Sequence, residues 1–241
     1  MKHKDSFCDT RTRCSARLSQ RINTTMTYHK PIPEISSDKI SVVVPVKNNQ
    51  RGVDLFLKAL ADSYGFEDRP SEVIIVDNNS VVPLVISDEI LDLGLYVHLL
   101  QCKKPGPAAA RNMGVQHATG DWILFSDSDC RPTPTTLRGY IESKKKAVAL
   151  VGDVKATINS VFTRFYDQQK ILIPHFKANE FDEKVPLYIV TANALVLREA
   201  ILDCGFFDEN YKYAAGEDVD FGVRLWCIGN IESLVSGIIS E

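Results

Sequence analysis

From Ile40 onward, apolar and polar positions alternate between two periods. Ile40–Val46 is a β-branched run carrying Pro45 near its end, and 72–76 is a second apolar run that stops at Asp77. Runs at 95–100, 122–125, 148–151 and 187–196 follow. Short apolar runs bounded by turn residues read as buried strands. Between them the period changes. Val53, Phe56, Leu57, Leu60 and Tyr64 recur at helical spacing, the signature of a helix that lays one face on a sheet. A helix is predicted to begin near Pro107, where proline suits the first turn. Another holds Leu137, Tyr140 and Ile141, and a last one covers 219–226. Alternation of this kind predicts an α/β fold with a mostly parallel central sheet flanked by helices.

Residues 1–37 follow neither period. Seven basic residues there oppose three acidic ones, so the segment carries +4 and the remainder of a chain of net charge −3 carries −7. With few apolar residues, it reads as a flexible basic extension ahead of one domain spanning 38–241. Such an extension could touch an anionic membrane surface, but no apolar helical face accompanies the charge. The overall charge gives no reason to expect nucleic acid. No apolar run approaches the roughly 20 residues of a membrane-spanning helix, and the first residues lack the apolar stretch of a secretory signal. The six cysteines are scattered without metal-binding spacing, which predicts a reduced, cytoplasmic protein.

The chemistry gathers at strand ends. Asp127-Ser128-Asp129 follows the run 122–125, so two carboxylates stand at a strand's C-terminal tip, where open α/β sheets bind ligands. One residue apart, they repel each other unless a cation lies between them. Mg²⁺ or Mn²⁺, completed by water and phosphate oxygens, satisfies such a pair. Upstream, the segment 106–114 combines Gly106 and Pro107 with Ala108-Ala109-Ala110, which lets a helix lie close to a ligand and aims Arg111 at a base edge or phosphate. Asp77, at another strand tip, can accept hydrogen bonds from a base or ribose, or can cap the turn Asp77-Asn78-Asn79-Ser80. Downstream, Glu217 and Asp218 open a helix, whose dipole favours ionised carboxylates. Adjacent residues there diverge, so that one can reach an acceptor while the other bonds locally.

Taken in order, Val42-Val43-Val44-Pro45-Val46-Lys47-Asn48, Val73-Ile74-Ile75-Val76-Asp77-Asn78-Asn79-Ser80, the segment 103–114, Asp127-Ser128-Asp129 and Gly216-Glu217-Asp218-Val219-Asp220 resemble the family 2 glycosyltransferases. The resemblance runs from about Ile40 to about Gly229. It implies a GT-A fold, a single Rossmann-like domain that binds a nucleotide-diphosphate sugar, with uridine the expected base. It also implies a hydroxyl acceptor (a saccharide, a lipid-linked sugar or another) and an inverting, metal-dependent transfer. Pro45, Val46, Asn48, Asp77, Arg111 and Asp127 would then line the nucleotide. Asp129 would be the direct metal ligand, with Asp127 on the ribose or supporting the metal. Asp218 matches the general base. Thr191-Ala192-Asn193-Ala194 matches the strand near the acceptor, placing Asn193 and Glu217 close to acceptor or donor sugar.

The resemblance breaks at one place. A histidine that often completes the metal site in metal-dependent relatives is missing from 234–241, leaving Glu241, a longer natural chain or fewer protein ligands as the alternatives. Two other functions compete: a nucleotide-sugar binding module without turnover, and a nucleotidyltransferase. The second wants a glycine-rich loop after the first strand to cradle a triphosphate, and Pro45-Val46-Lys47-Asn48-Asn49 has no glycine.

Overall fold

The computed structural model describes residues 28–65, 69–156, 176–178, 184–186, 188–211 and 216–240. Strands β1 (Ile40–Val46), β2 (Glu72–Asp77), β3 (Val97–Gln101) and β4 (Trp122–Ser126) run parallel in the order β3-β2-β1-β4. Their burial explains the order. The continuous apolar runs of β1, β2 and β4 are covered on both faces, as central parallel strands must be, whereas β3 is partly exposed and forms the edge.

Four more strands extend the sheet beyond β4: β5 (Cys130–Pro132), β6 (Ala149–Ala156), β9 (Asn193–Leu197) and β10 (Ile231–Ser240). They continue as β9-β6-β10-β5, giving eight strands among the described residues. β9 is antiparallel to β4 and β6, and β5 is antiparallel to β10. The sheet is thus mostly parallel, with two reversed strands that alternation alone does not distinguish. Strands β7 (Phe176–Ala178) and β8 (Lys184–Pro186) pair separately. The strand predicted over 187–196 is shorter and later, because Asn193 is the first residue to pair with β4. Neither β5 nor β10 was predicted.

The helices dock as their small and apolar residues require. Helix α1 (Gln50–Ser63) is capped by Asn49, whose Oδ1 accepts from Gly52 N at 3.0 Å, and buries Val53, Phe56, Leu57 and Leu60. Two short helices, α2 (Asp88–Leu91) and α5 (Arg198–Cys204), were not foreseen; α4 (Pro134–Ile141) was. Helix α3 (Pro107–His117) lies so close to β1 that a Cβ at Gly114 would meet Val43 Cγ1 at 2.4 Å. Helix α6 (Glu217–Trp226) lies equally close to the chain ahead of β9, since a Cβ at Gly222 would sit 2.6 Å from Ile189 N. Among the described residues no helix is long and apolar enough to cross a membrane.

Residues 1–27, most of the expected extension, lie outside the described residues. The packed chain nevertheless begins before the boundary drawn at Asp38. Ile35 is buried in the main core, Tyr28 Oη donates to Asp203 at 3.1 Å, and Lys30 pairs with Glu199 and Asp203 of α5. Composition missed this because only Ile35 is buried, with Tyr28 and Ile32 packing part-exposed against the core. The exposed ion pairs contribute little, so Ile35→Ala is expected to cost about 2 kcal/mol, the low end for a buried isoleucine. Chemical denaturation measures this, and an unchanged midpoint would show that the segment does not pack. Cys102, Cys130 and Cys204 are free and buried, but Cys227 is disulfide-bonded, which the all-reduced expectation did not include.

Candidate active site

The chain folds its acidic motifs onto the edge where β1, β2 and β4 end. Directly after β4, Asp127-Ser128-Asp129 forms a tight turn closed by Cys130 N to Asp127 O at 3.0 Å. The turn is tethered at its middle, where Ser128 Oγ accepts from Asn49 Nδ2 at 2.9 Å. Asp129 is left facing solvent. Its pKa is nevertheless raised, first by crowding of the surrounding chain and then by the charge of Asp127. A cation between the two carboxylates would relieve the second cause. Among the described residues no three metal-ligating side chains converge. The two carboxylates of this turn are of the kind that could hold a hard cation with water and phosphate oxygens as its other ligands. The segment 234–241, which lacks the histidine of metal-dependent relatives, is mostly strand β10, with Glu241 outside the described residues.

Arg111 joins this turn to the second acidic motif. Asn78 makes the entry to α3: its Oδ1 accepts from Gly106 N at 2.8 Å and its Nδ2 donates to Lys104 O at 2.6 Å. Gly106 adopts a φ of 111°, which favours glycine, and α3 starts at the next residue. The helix buries Arg111 to 4% exposure. Its Nη2 donates to Asp127 Oδ1 at 3.1 Å and its Nη1 to Glu217 Oε1 at 2.9 Å. The guanidinium lies 5.7 Å from the Phe207 ring centre, while its Nε is buried without a partner. Phe207 stacks on Phe221 at 4.0 Å and meets Phe125 edge-on, forming a dry wall on one side of the site. Aromatic core filling is thus the role of Phe207.

Gly216, at φ 82°, turns the chain into α6 so that Glu217 and Asp218 diverge. Glu217 points inward and is buried on Arg111, whereas Asp218 is half-buried and its Oδ1 accepts from its neighbour Val219 N at 2.8 Å. The helix dipole alone predicts a low pKa for Asp218. Instead it is raised, first by burial and then by the charge of Glu217, with Arg111 only partly offsetting them. A raised carboxylate is a better proton acceptor when ionised.

The expected nucleoside seat is a pair of interlocked loops. Asn48, at φ 56°, donates its backbone N–H to Ser80 Oγ at 2.8 Å, and its side chain accepts from Val81 N at 2.7 Å. Pro45 and Val46 support it from β1, with Val46 buried. Asp77 is buried and accepts from Ser80 N at 2.9 Å, Leu84 N at 3.2 Å and Gln101 Nε2 at 3.2 Å. Burial pushes its pKa up, but these hydrogen bonds outweigh it and the net shift is downward. Of the two roles open to Asp77, the turn-holding one is what its carboxylate performs here.

Asn193, expected in the vicinity of the acceptor or donor sugar, pairs with Ser126 directly before the acidic turn. It is fully buried, its Oδ1 accepts from Tyr140 Oη at 2.8 Å, and its Nδ2 donates to Asp153 O at 3.0 Å. That side chain fastens β9 to α4 and β6 and has no surface for a sugar. Asn112, which the sequence reading passed over, ties α3 to the turn ahead of α6: Oδ1 accepts from Phe207 N at 2.9 Å and Nδ2 donates to Glu209 Oε1 at 2.8 Å. Its neighbour Arg111 was the only available signal. Asn49 was equally silent, except as a helix cap before an amphipathic stretch.

Residues 41–205 match the family model described as Glycosyl transferase family 2. A pre-mycofactocin glycosyltransferase of Mycobacterium tuberculosis is 30% identical over 232 residues, covering 92% of this chain and 46% of that relative. The chain thus spans about half the length of the curated relative it matches. Among solved structures, S. aureus TarS 1–349 in complex with UDP-GlcNAc superposes with a TM-score of 0.60 at 20% identity, covering 84% of this chain and 58% of the other. A mannosyltransferase from Pyrobaculum calidifontis in complex with GDP-Man and Mn²⁺ gives 0.58 at 17% identity, covering 99% and 65%. At such identities the likeness establishes the fold.

Proposed function

The chain belongs to glycosyl transferase family 2 and has the GT-A fold, and from that premise we propose that it transfers a sugar from a nucleotide-diphosphate donor to an acceptor hydroxyl. The observation that carries this reading is Arg111, which binds Asp127 and Glu217 together and so brings two motifs 90 residues apart into one site beside Asp218. A relative that binds UDP-GlcNAc and another that binds GDP-Man with Mn²⁺ support a donor of that chemistry.

Asp129 and the oxygen of Asp127 not engaged by Arg111 would hold Mn²⁺ or Mg²⁺. Bound there, the ion supplies Lewis-acid neutralisation of the departing diphosphate. Asp218, ionised, takes the proton of the acceptor hydroxyl. The acceptor oxygen forms its bond to the anomeric carbon as the bond to the diphosphate oxygen breaks, and the electron pair leaves on the diphosphate. In-line attack inverts the anomeric centre. Phe207 and its aromatic neighbours keep water off the buried side of Arg111, which strengthens its hold on Asp127. Asn48, Ser80 and Asp77 fix the loops on which a nucleoside rests.

UDP affinity is expected to fall strongly when Mn²⁺ is replaced by EDTA, and Asp129→Ala to abolish most of that difference. A thermal-shift series reads it, since a ligand that binds only the folded state stabilises by RT ln(1 + [L]/Kd). Equal UDP affinity with Mn²⁺ and with EDTA would overturn the metal reading. Donor binding with neither transfer nor donor hydrolysis would establish the binding module instead.

A further inference from the structure

We propose that Glu217 is a positioning residue for the donor, acting through Arg111 on Asp127 rather than touching a sugar. This rests on the donor-binding reading of the site. The Glu217 side chain is 5% exposed, too buried to meet a ligand, and it belongs to the same guanidinium that grips Asp127. The two carboxylates differ in exposure, 5% for Glu217 against 37% for Asp127. That asymmetry assigns their tasks.

A guanidinium buried to this degree requires a counter-charge beside it at all times. Were Asp127 alone to supply it, any donor group drawing on Asp127 would strip Arg111 of its partner. With Glu217 as the permanent counter-ion, Arg111 stays neutralised while holding one Asp127 oxygen, and the other oxygen remains for the ligand. Asn49 tethers the adjacent Ser128, so the acidic turn is fixed at two consecutive residues and Asp129 alone of the three has an unrestrained outlook. The pull on Glu217 also sets the rotation of the first turn of α6, which leaves its chain neighbour Asp218 facing the less buried side. One buried pair thereby places both the donor-binding turn and the base.

The test is UDP binding with Mn²⁺, measured by titration calorimetry on the full chain at a temperature well below unfolding. Glu217→Gln keeps an oxygen for Arg111 but removes the charge, and is expected to weaken UDP about tenfold, although UDP has no sugar for Glu217 to touch. Asp127→Asn also weakens UDP. In the double variant the losses are expected to fall short of their product by about fivefold or more, because both act on one guanidinium. Arg111→Lys, which keeps the charge but cannot fork between two carboxylates, should reproduce the loss. Unchanged UDP affinity in Glu217→Gln, with a weaker UDP-sugar, would assign the residue to the sugar and overturn the proposal. A lower melting temperature with unchanged UDP affinity would reduce the pair to a structural one and overturn it too. Multiplicative losses in the double variant would remove the route through Arg111. Failure of the unmodified protein to bind UDP, GDP or their sugars would overturn the donor reading itself and this inference with it.

Discussion

Asp218→Asn is expected to lower kcat by roughly 10²–10⁴-fold, the usual worth of a general base, while UDP affinity with Mn²⁺ stays as it was. Asparagine is nearly isosteric and its oxygen can still accept from Val219 N, but it cannot take a proton at neutral pH. In the unmodified protein, burial and then the charge of Glu217 raise the Asp218 pKa. The base acts when ionised, so activity should rise with pH through that raised pKa and its acidic limb should lie above the ordinary aspartate value. Stability runs the other way. A carboxyl whose folded pKa exceeds its unfolded one loses stability as pH climbs through the window between them. Asparagine removes that cost, so the variant should melt no earlier than the parent at neutral pH. A stability loss matching the activity loss would make Asp218 a structural cap, and full activity would send the search for a base elsewhere.

Arg111→Met is expected to produce the largest loss of stability, about 3–5 kcal/mol, because it leaves the buried Glu217 carboxylate without its guanidinium. For a chain of this size that corresponds to a melting temperature lower by roughly 6–20 °C. Most of the effect lies on the Glu217 side, since the Asp127 side chain is more than a third exposed and solvent screens its share. Donor binding should disappear with it. Adding Glu217→Leu should recover much of the stability, because replacing both members of a buried pair by apolar groups is often near neutral, but it should not restore binding. If Arg111→Met melts with the parent, the buried pair is not what fastens α3 to α6.

These expectations divide into what was legible along the chain and what was not. The β-branched runs of β1 and β2 and the run ending at Asp127 announce buried parallel strands by composition alone. The Val53-to-Tyr64 spacing announces α1, although the helix begins three residues earlier at Gln50 and stops just short of Tyr64. A strand tip carries its side chains to the ligand edge of any such sheet, so Asp127 and Asp129 could be placed from local pattern.

The antiparallel insertion of β9 was not so placed, because strand direction depends on which neighbour supplies hydrogen bonds, and β9 pairs with β4 across more than 60 residues. The polar roles were hidden for a similar reason. Asn193 matched a strand near the acceptor, but the sequence could not show that its side chain bonds Tyr140 and Asp153. Asp77 could cap its turn or meet a nucleobase, and only the tertiary structure shows that Ser80, Leu84 and Gln101 engage it in holding the loop. Glu217 looked like a second acid beside the base until Arg111 claimed it from 106 residues away. Apolar burial is periodic and non-directional, so a single sequence determined the layers of this protein and the edge at which it works. A buried polar group is satisfied by one partner at one distance and angle, and only the tertiary structure could decide which of these carboxylates and amides hold the site together and which are left to act.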